Sequence, residues 1–474
     1  MQKSFAKNIA YNVTYKMLNV LFPLISMAIV SRALLPTGVG KVTSAQNIVT
    51  YFTFLAPLGL ASYGTREVAK VHGKELNKLF SELFVINTIS TFLCVATYYL
   101  MVLGVPRFAA ERDLYVISGI AIVMNFFNVD WFFQGKEEFR YIAVRSILVK
   151  ALMLVGILFF VHETADYEKY AFIHVMAIGG NYLFNVAYVW KSEVKFTFRD
   201  LELKKHFSAL AVLLATNVAV ELYSLVDVTM LGFTCTDEVV AYYSNAMRLV
   251  KVAIFVIAAI GGVTLPRIMK LLSEKRQDEI DRLVSGVVML MLALALPCCA
   301  GMACMADKIV FVLFGEEFAE SISVVIILSG LFLFLTFSNF LGTQVLVAYG
   351  KESEALIATI IGAVVNISLN VVLIKAYQHN GAAIASVISE CIVLAIMHLF
   401  ARKHYKLQLN ARLIISAVIG CLLMAAVVWT VKGIWENLFV SLVVGIFAGV
   451  LSYGLFVFAI NRHFFKTMFK LFVK

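Results

Sequence analysis

Apolar stretches of about twenty residues follow one another almost from end to end of this chain. They lie near 9–33, 42–64, 79–103, 114–133, 141–161, 170–190, 208–232, 239–263, 282–305, 323–348, 355–377, 381–401, 411–431 and 438–460. A helix crossing the ~30 Å hydrocarbon layer of a bilayer needs ~20 residues. Strict period-two alternation over short segments is absent, and the stretches are too long for barrel strands. A helical bundle is then the remaining way to satisfy every backbone hydrogen bond in lipid. The pattern predicts an all-α polytopic membrane protein of fourteen transmembrane helices.

Composition agrees: 61% of the 474 residues are hydrophobic and 15% charged, against roughly 25% charged in soluble domains. Lysine and arginine set the orientation, because translocating positive charge is disfavoured. With the first residues inside, 27 of the 40 basic residues fall on the cytoplasmic face, eight on the outer face, and five (Lys16, Arg145, Lys150, Arg248, Lys251) inside predicted helices. Both termini are expected in the cytoplasm, as an even number of spans requires. The net charge of +10 is a topology signal and an attraction to anionic lipid, not a nucleic-acid footprint. Lys3 and Lys7 precede an apolar run without a small-residue cleavage site, so the first helix reads as uncleaved. The seven cysteines and eight histidines form no CxxC or HxxxH pattern, and neither a disulfide nor a metal site is expected.

Self-comparison brings out two parallels. Leu34–Val49 (LLPTGVGKVTSAQNIV) matches Phe233–Val250 at an offset near 200, with Val39 over Val239 and Ser44 over Ser244; Gln134–Phe139 matches Tyr349–Glu354 at an offset near 215. Both agree in order and topology, which suggests a parallel repeat of six spans. The expected organisation is two pseudo-symmetric six-helix lobes, 1–195 and 196–405, followed by two added helices and a cytoplasmic tail in 406–474. No connecting loop exceeds about twenty residues, so chemistry or transport has to happen inside the bundle.

An ionised side chain at the bilayer centre costs ~2.5–3.5 kcal/mol on insertion scales and normally faces a cavity or a partner. Ser244, Arg248, Lys251 and Phe255 recur at spacings of four, three and four, on one helix face. Two cations one turn apart repel unless an anion joins them, and phosphate or diphosphate suits them; the alternative is ion pairing to Glu221, Asp227 or Glu390. Lys150 lies about 13 Å into its helix and faces either a cavity or a structural partner. Arg145 is shallower, and its simpler reading is snorkelling to the cytoplasmic surface. Asn12, Lys16, Asn19, Pro23 and Ser26 share a narrow arc of the first helix, as substrate contacts or as interhelical glue. Arg32 is an outer anchor or gate contact. Glu221, Asp227 and Glu390 are candidates for coupling to H⁺ or Na⁺, or they neutralise the buried cations.

Several segments resemble one family. Asp130–Leu154 (DWFFQGKEEFRYIAVRSILVKALML) carries the most specific likeness, and Val226–Lys251, Val312–Phe318 and Leu341–Glu354 are similar to further family segments. The chain resembles Wzx-type polysaccharide and O-antigen flippases, in the multidrug/oligosaccharidyl-lipid/polysaccharide exporter superfamily. That resemblance implies two lobes around a central cationic cavity and alternating access. It implies movement of an undecaprenyl-diphosphate-linked oligosaccharide repeat unit (O-antigen, capsule or exopolysaccharide) to the outer leaflet of the bacterial inner membrane. The diphosphate would meet Lys16, Lys150, Arg248 and Lys251, with Asn12, Asn19, Arg32, Arg145 and Ser244 as secondary contacts. The partners implied are the lipid-linked glycan, membrane lipids, a polysaccharide polymerase and a chain-length regulator, without nucleic acid. No cofactor or enzymatic activity is expected; coupling would be to H⁺, Na⁺ or the membrane potential. The alternatives are a lipid II-type flippase, a drug/cation antiporter of the same superfamily, and a membrane polymerase or ligase. The last requires a large outer loop that this pattern lacks.

Overall fold

The computed structural model describes residues 2–190, 194–197, 200–262 and 264–473, with side chains except those of 2–21, 190, 216, 217, 219, 220, 222, 259, 260 and 469–473. Among these residues the chain is helical, without strands. Nine helices among the described residues are long and apolar enough to cross a membrane, ten when one bent pair is taken as a single span. The chain is a multi-pass membrane protein. Contacts divide it into two compact units, Met1–Gly232 and Phe233–Lys474.

The first unit holds α1 (Gln2–Leu55), α2 (Leu60–Val68), α3 (Gly73–Gly104), α4 (Arg112–Met124), α5 (Asp130–Gly135), α6 (Phe139–Phe160), α7 (Tyr167–Trp190) and α8 (Lys204–Thr234). A straight helix of 54 residues would reach about 80 Å, far beyond the bilayer. α1 breaks at Leu35 (φ 55°, ψ 177°), where the ring of Pro36 excludes a helical conformation for the residue before it. α8 is tied into this unit: the Asn47 amide donates to Thr229 Oγ1 at 2.7 Å, and Arg107 donates to the Gly232 carbonyl at 2.7 Å. The first unit therefore runs past residue 195. Loops expected on one face meet there: Lys41 pairs with Glu111 at 2.6 Å, and Tyr167 donates to Glu111 at 2.8 Å. At the other end, Lys78 pairs with Glu202 at 2.9 Å.

The second unit holds α9 (Asp237–Gly262), α10 (Leu265–Ser273), α11 (Gln277–Cys304), α12 (Ala306–Leu313), α13 (Ser321–Leu328), α14 (Leu331–Phe340), α15 (Glu352–Ala401), α16 (Ala411–Val431), α17 (Leu438–Ile460) and α18 (Arg462–Val473). Asn410 and Asn437 start α16 and α17 by accepting from the backbone N–H groups of Leu413, and of Phe439 and Val440, which satisfies donors a helix start leaves unpaired. These two helices pack on α11 and α12 through Met289, Met305, Met424 and Tyr453.

α15 is a hairpin. Its 50 residues turn at Gln378 (φ 48°, ψ −124°), and Gly362 lies against Val393 while Gly381 lies against Leu373, the register of two antiparallel halves. A Cβ at Gly381 would stand 2.0 Å from the Leu373 carbonyl oxygen, so only glycine lets the chain fold back so tightly. Gly381→Ala is expected to lower the stability of the purified protein by the ~1–3 kcal/mol typical of overpacking, and with it the thermal midpoint. Gly433→Ala, where an added Cβ meets nothing within 4 Å, leaves it unchanged; equal midpoints for both variants would remove the hairpin constraint.

Candidate functional site

The polar stripe on α9 is real. Arg248, Lys251 and Phe255 are exposed along one side of the helix and Ser244 is buried at its start. The opposite side packs on α11, α13, α14 and α15. Tyr243 and Ser386 hydroxyls lie 2.9 Å apart, the Ser321 hydroxyl donates to the Tyr242 carbonyl at 3.1 Å, and the Tyr242 ring sits edge-on to His379. These contacts fix α9 and present its two cations from a rigid support. Within their own unit neither Arg248 nor Lys251 pairs with a described acid. Glu390, the acid of that unit offered by the sequence as a partner, is buried and accepts from the Ser338 hydroxyl at 3.0 Å.

In the first unit, Lys150 is half-buried on α6 with its ammonium 5.7 Å from the Phe22 ring centre on α1. Arg145, one and a half turns earlier, does not snorkel. It is 5% exposed, and its Nη1 donates to Asp130 Oδ1 at 3.0 Å and to the Asn185 side-chain oxygen. Asn185 in turn donates to Asp130 at 2.5 Å. A guanidinium so shallow could reach water, but a carboxylate and an amide on two neighbouring helices hold it inward. The segment Asp130–Leu154 is thus largely a packing device: Trp131, Phe132 and Phe133 are buried in the aromatic core with Phe80, and Asp130 anchors Arg145. Lys150, deeper on α6, is the candidate substrate contact of that segment.

Asp227 is buried on α8, close to the hydroxyl pair of Tyr51 and Thr229, which stand 2.7 Å apart. Glu221 is half-buried on the same helix, and Arg32 is exposed three residues before the break in α1. Asn12, Lys16 and Asn19 lie outside the residues whose side chains are described.

Sequence reasoning missed two further features. The first is a pair of straps. In the first unit Asn77 and Ser81 accept from the backbone N–H groups of Lys195 and Thr197, and the fully buried Glu82 accepts from Glu202 N at 2.8 Å. His206 Nε2 and Lys205 Nζ each lie 2.9 Å from the Glu82 carboxylate. In the second unit Gln277 donates to the His404 carbonyl at 2.9 Å, and Asp281 and Ser285 accept from Lys406 N and Gln408 N. Asn77 and Ser81 stand 200 positions before Gln277 and Asp281. The second feature is an apolar cleft of about 530 Å³ in the second unit, where Leu294 and Pro297 of α11 face Gly445, Gly449 and Gly454 of α17.

These groups can bind an anion and an apolar chain; no cluster of three His, Cys, Asp or Glu fit for a metal ion occurs among the described residues. The model of a family described as polysaccharide biosynthesis protein matches residues 5–272, and that of the MatE family matches residues 213–372. A putative O-antigen transporter from Escherichia coli (strain K12) is 24% identical over 414 residues, covering 85% of this chain and 97% of that one. The probable low-salt glycan biosynthesis flippase Agl15 of Haloferax volcanii is 27% identical over 232 residues, 49% of each chain, so the match spans about half that relative's length. The solved structure of the lipid II flippase MurJ in its inward closed conformation shares the fold, with TM-score 0.79 over 96% of this chain and 99% of that one at 15% identity.

Proposed function

Because this chain belongs to the polysaccharide biosynthesis protein family, and because α9 presents two adjacent exposed cations from a rigid apolar support, we propose that it is a transporter, not an enzyme, that flips diphosphate-linked oligosaccharide repeat units on a polyprenyl carrier. The cation pair carries this reading. Two like charges one turn apart inside a membrane helix are costly alone and favourable around a diphosphate, which offers several acceptor oxygens. The substrate class draws support from relatives described as an O-antigen transporter and a glycan flippase. The apolar cleft between α11 and α17 suits the carrier's hydrocarbon chain.

The protein works in the bacterial inner membrane with both termini in the cytoplasm. Its spans number fourteen: α1 and α15 divide at Leu35 and Gln378, α13 and α14 form one bent crossing, and α4 with α5, and α8, supply the remainder. The two straps, anchored on helix residues 200 positions apart, support a six-helix repeat moving by alternating access. Arg248 and Lys251 hold the diphosphate. An inside-negative potential favours outward movement of anionic charge by ~2.3 kcal/mol per charge per 100 mV, so the potential alone gives export a direction. Protons or sodium add to it where Glu221, Asp227 or Glu390 couples to them, and a polymerase takes up the unit outside.

Deleting the gene and locating the lipid-linked glycan with a probe that does not cross the inner membrane tests this. Complete repeat units trapped on the cytoplasmic leaflet support it. Single units accumulating on the outer leaflet point to a polymerising or ligating enzyme, and an unchanged glycan overturns the glycan substrate.

A further inference from the structure

At one end of the second unit lies a second cavity, of about 870 Å³, between α10, α11, residues 408–411 and α18. Its lining combines two chemistries: Arg267, Lys270, Arg276 and Arg282 are basic, and Leu271, Leu283, Met289, Phe464 and Met468 are apolar. Glu274 and Glu279 also line it, and both engage Arg276. Lys270 reaches Glu274 only at 3.9 Å, and Arg282 is exposed with no ion pair among the described residues. With two acids against four bases, the cavity keeps a net positive charge. The apolar lining is held in place at Gly286, where a Cβ would stand 2.5 Å from the Met468 sulfur of α18. α18 itself alternates Arg462, His463 and Lys466 with Phe464, Phe465 and Met468, the pattern of a helix lying in the membrane interface.

We propose that this cavity binds the phosphate head group of an anionic membrane lipid, with its first chain segments against the α18 wall. A basic pocket on the face richer in lysine and arginine borders the anionic leaflet. Arginine's planar donors suit phosphate oxygens, while five apolar side chains argue against a soluble anion. The site depends on the proposed topology and on nothing about the transported glycan. The occupant is either a phospholipid or the polyprenyl diphosphate carrier on its way into transport, since both present a phosphate on an apolar chain.

The test is the thermal unfolding midpoint of the purified full chain in neutral detergent, titrated with phosphatidylglycerol, phosphatidylcholine, inorganic phosphate and polyprenyl diphosphate. A ligand of the folded state raises the midpoint as its concentration passes its Kd. Phosphatidylglycerol is expected to raise it, phosphatidylcholine and inorganic phosphate are not. Arg267→Gln with Arg282→Gln shifts half-saturation upward by about tenfold, and Lys375→Gln, on the far hairpin turn, leaves it in place. High salt weakens the effect in the unmodified protein, a check that needs no variant to fold. Displacement of phosphatidylglycerol by polyprenyl diphosphate at lower concentration supports the site with the carrier as occupant; no displacement supports it with a phospholipid. An equal response to phosphatidylcholine, an equal response to inorganic phosphate, or unchanged half-saturation in the double variant overturns it.

Discussion

Arg248→Ala and Lys251→Ala, made separately, are each expected to abolish glycan export while the protein stays in the membrane at its normal level. Both side chains are exposed and neither has a described ion pair in its own unit, so truncating them breaks no described ion pair of that unit. A hydrogen bond to a charged group contributes ~1.5–3 kcal/mol, and the arginine can make two. Losing one cation also leaves a diphosphate half-neutralised in a low-dielectric site, where an unpaired charge is expensive. Together these amount to at least a hundredfold in affinity, enough to stop flux at cellular substrate levels. Arg248→Lys keeps the charge and loses the fork, so export is partial. The measurement is surface polysaccharide against immunodetected protein in the membrane fraction. Full export from both alanine variants removes the anion-binding role of α9.

The helices were legible because lipid imposes one rule: twenty apolar residues per crossing with all backbone groups bonded internally. The reversal at Gln378 was legible as a three-residue gap between stretches, since no straight helix of that length fits a bilayer. The α9 stripe was legible from spacing alone, because one helix fixes the angles between its own residues. Arg145 was not. Its fate depends on Asn185, 40 positions away on another helix, and on Asp130, and depth from the helix end says nothing about either. The straps escaped for a different reason: their partners are mostly backbone groups of loops, which carry no sequence signature, so composition gives no sign of them. The family resemblance at Asp130–Leu154 identified the family that the comparisons support, yet the residues that make it recognisable, Asp130 with Trp131, Phe132 and Phe133, hold the fold together.

That division of labour separates Asp130 from Arg248 in experiment. Asp130→Ala leaves the Arg145 guanidinium, 4% exposed in its side chain, with only a neutral amide. Removing one partner of a buried pair costs ~3–5 kcal/mol; because the Asp130 side chain is 28% exposed, water and chain relaxation bring the figure to the lower end. The purified variant is expected to unfold several degrees below the unmodified protein and to accumulate at reduced level in the membrane, where Arg248→Ala does neither. Arg145→Met combined with Asp130→Leu should recover part of the loss, since it takes both charges out of the site and leaves apolar volume in their place, making the double variant milder than the two singles added together. If Asp130→Ala unfolds with the unmodified protein and is lost only for export, the ion pair belongs to the transport path rather than to the fold, and Arg145 joins Lys150 as a substrate contact on α6.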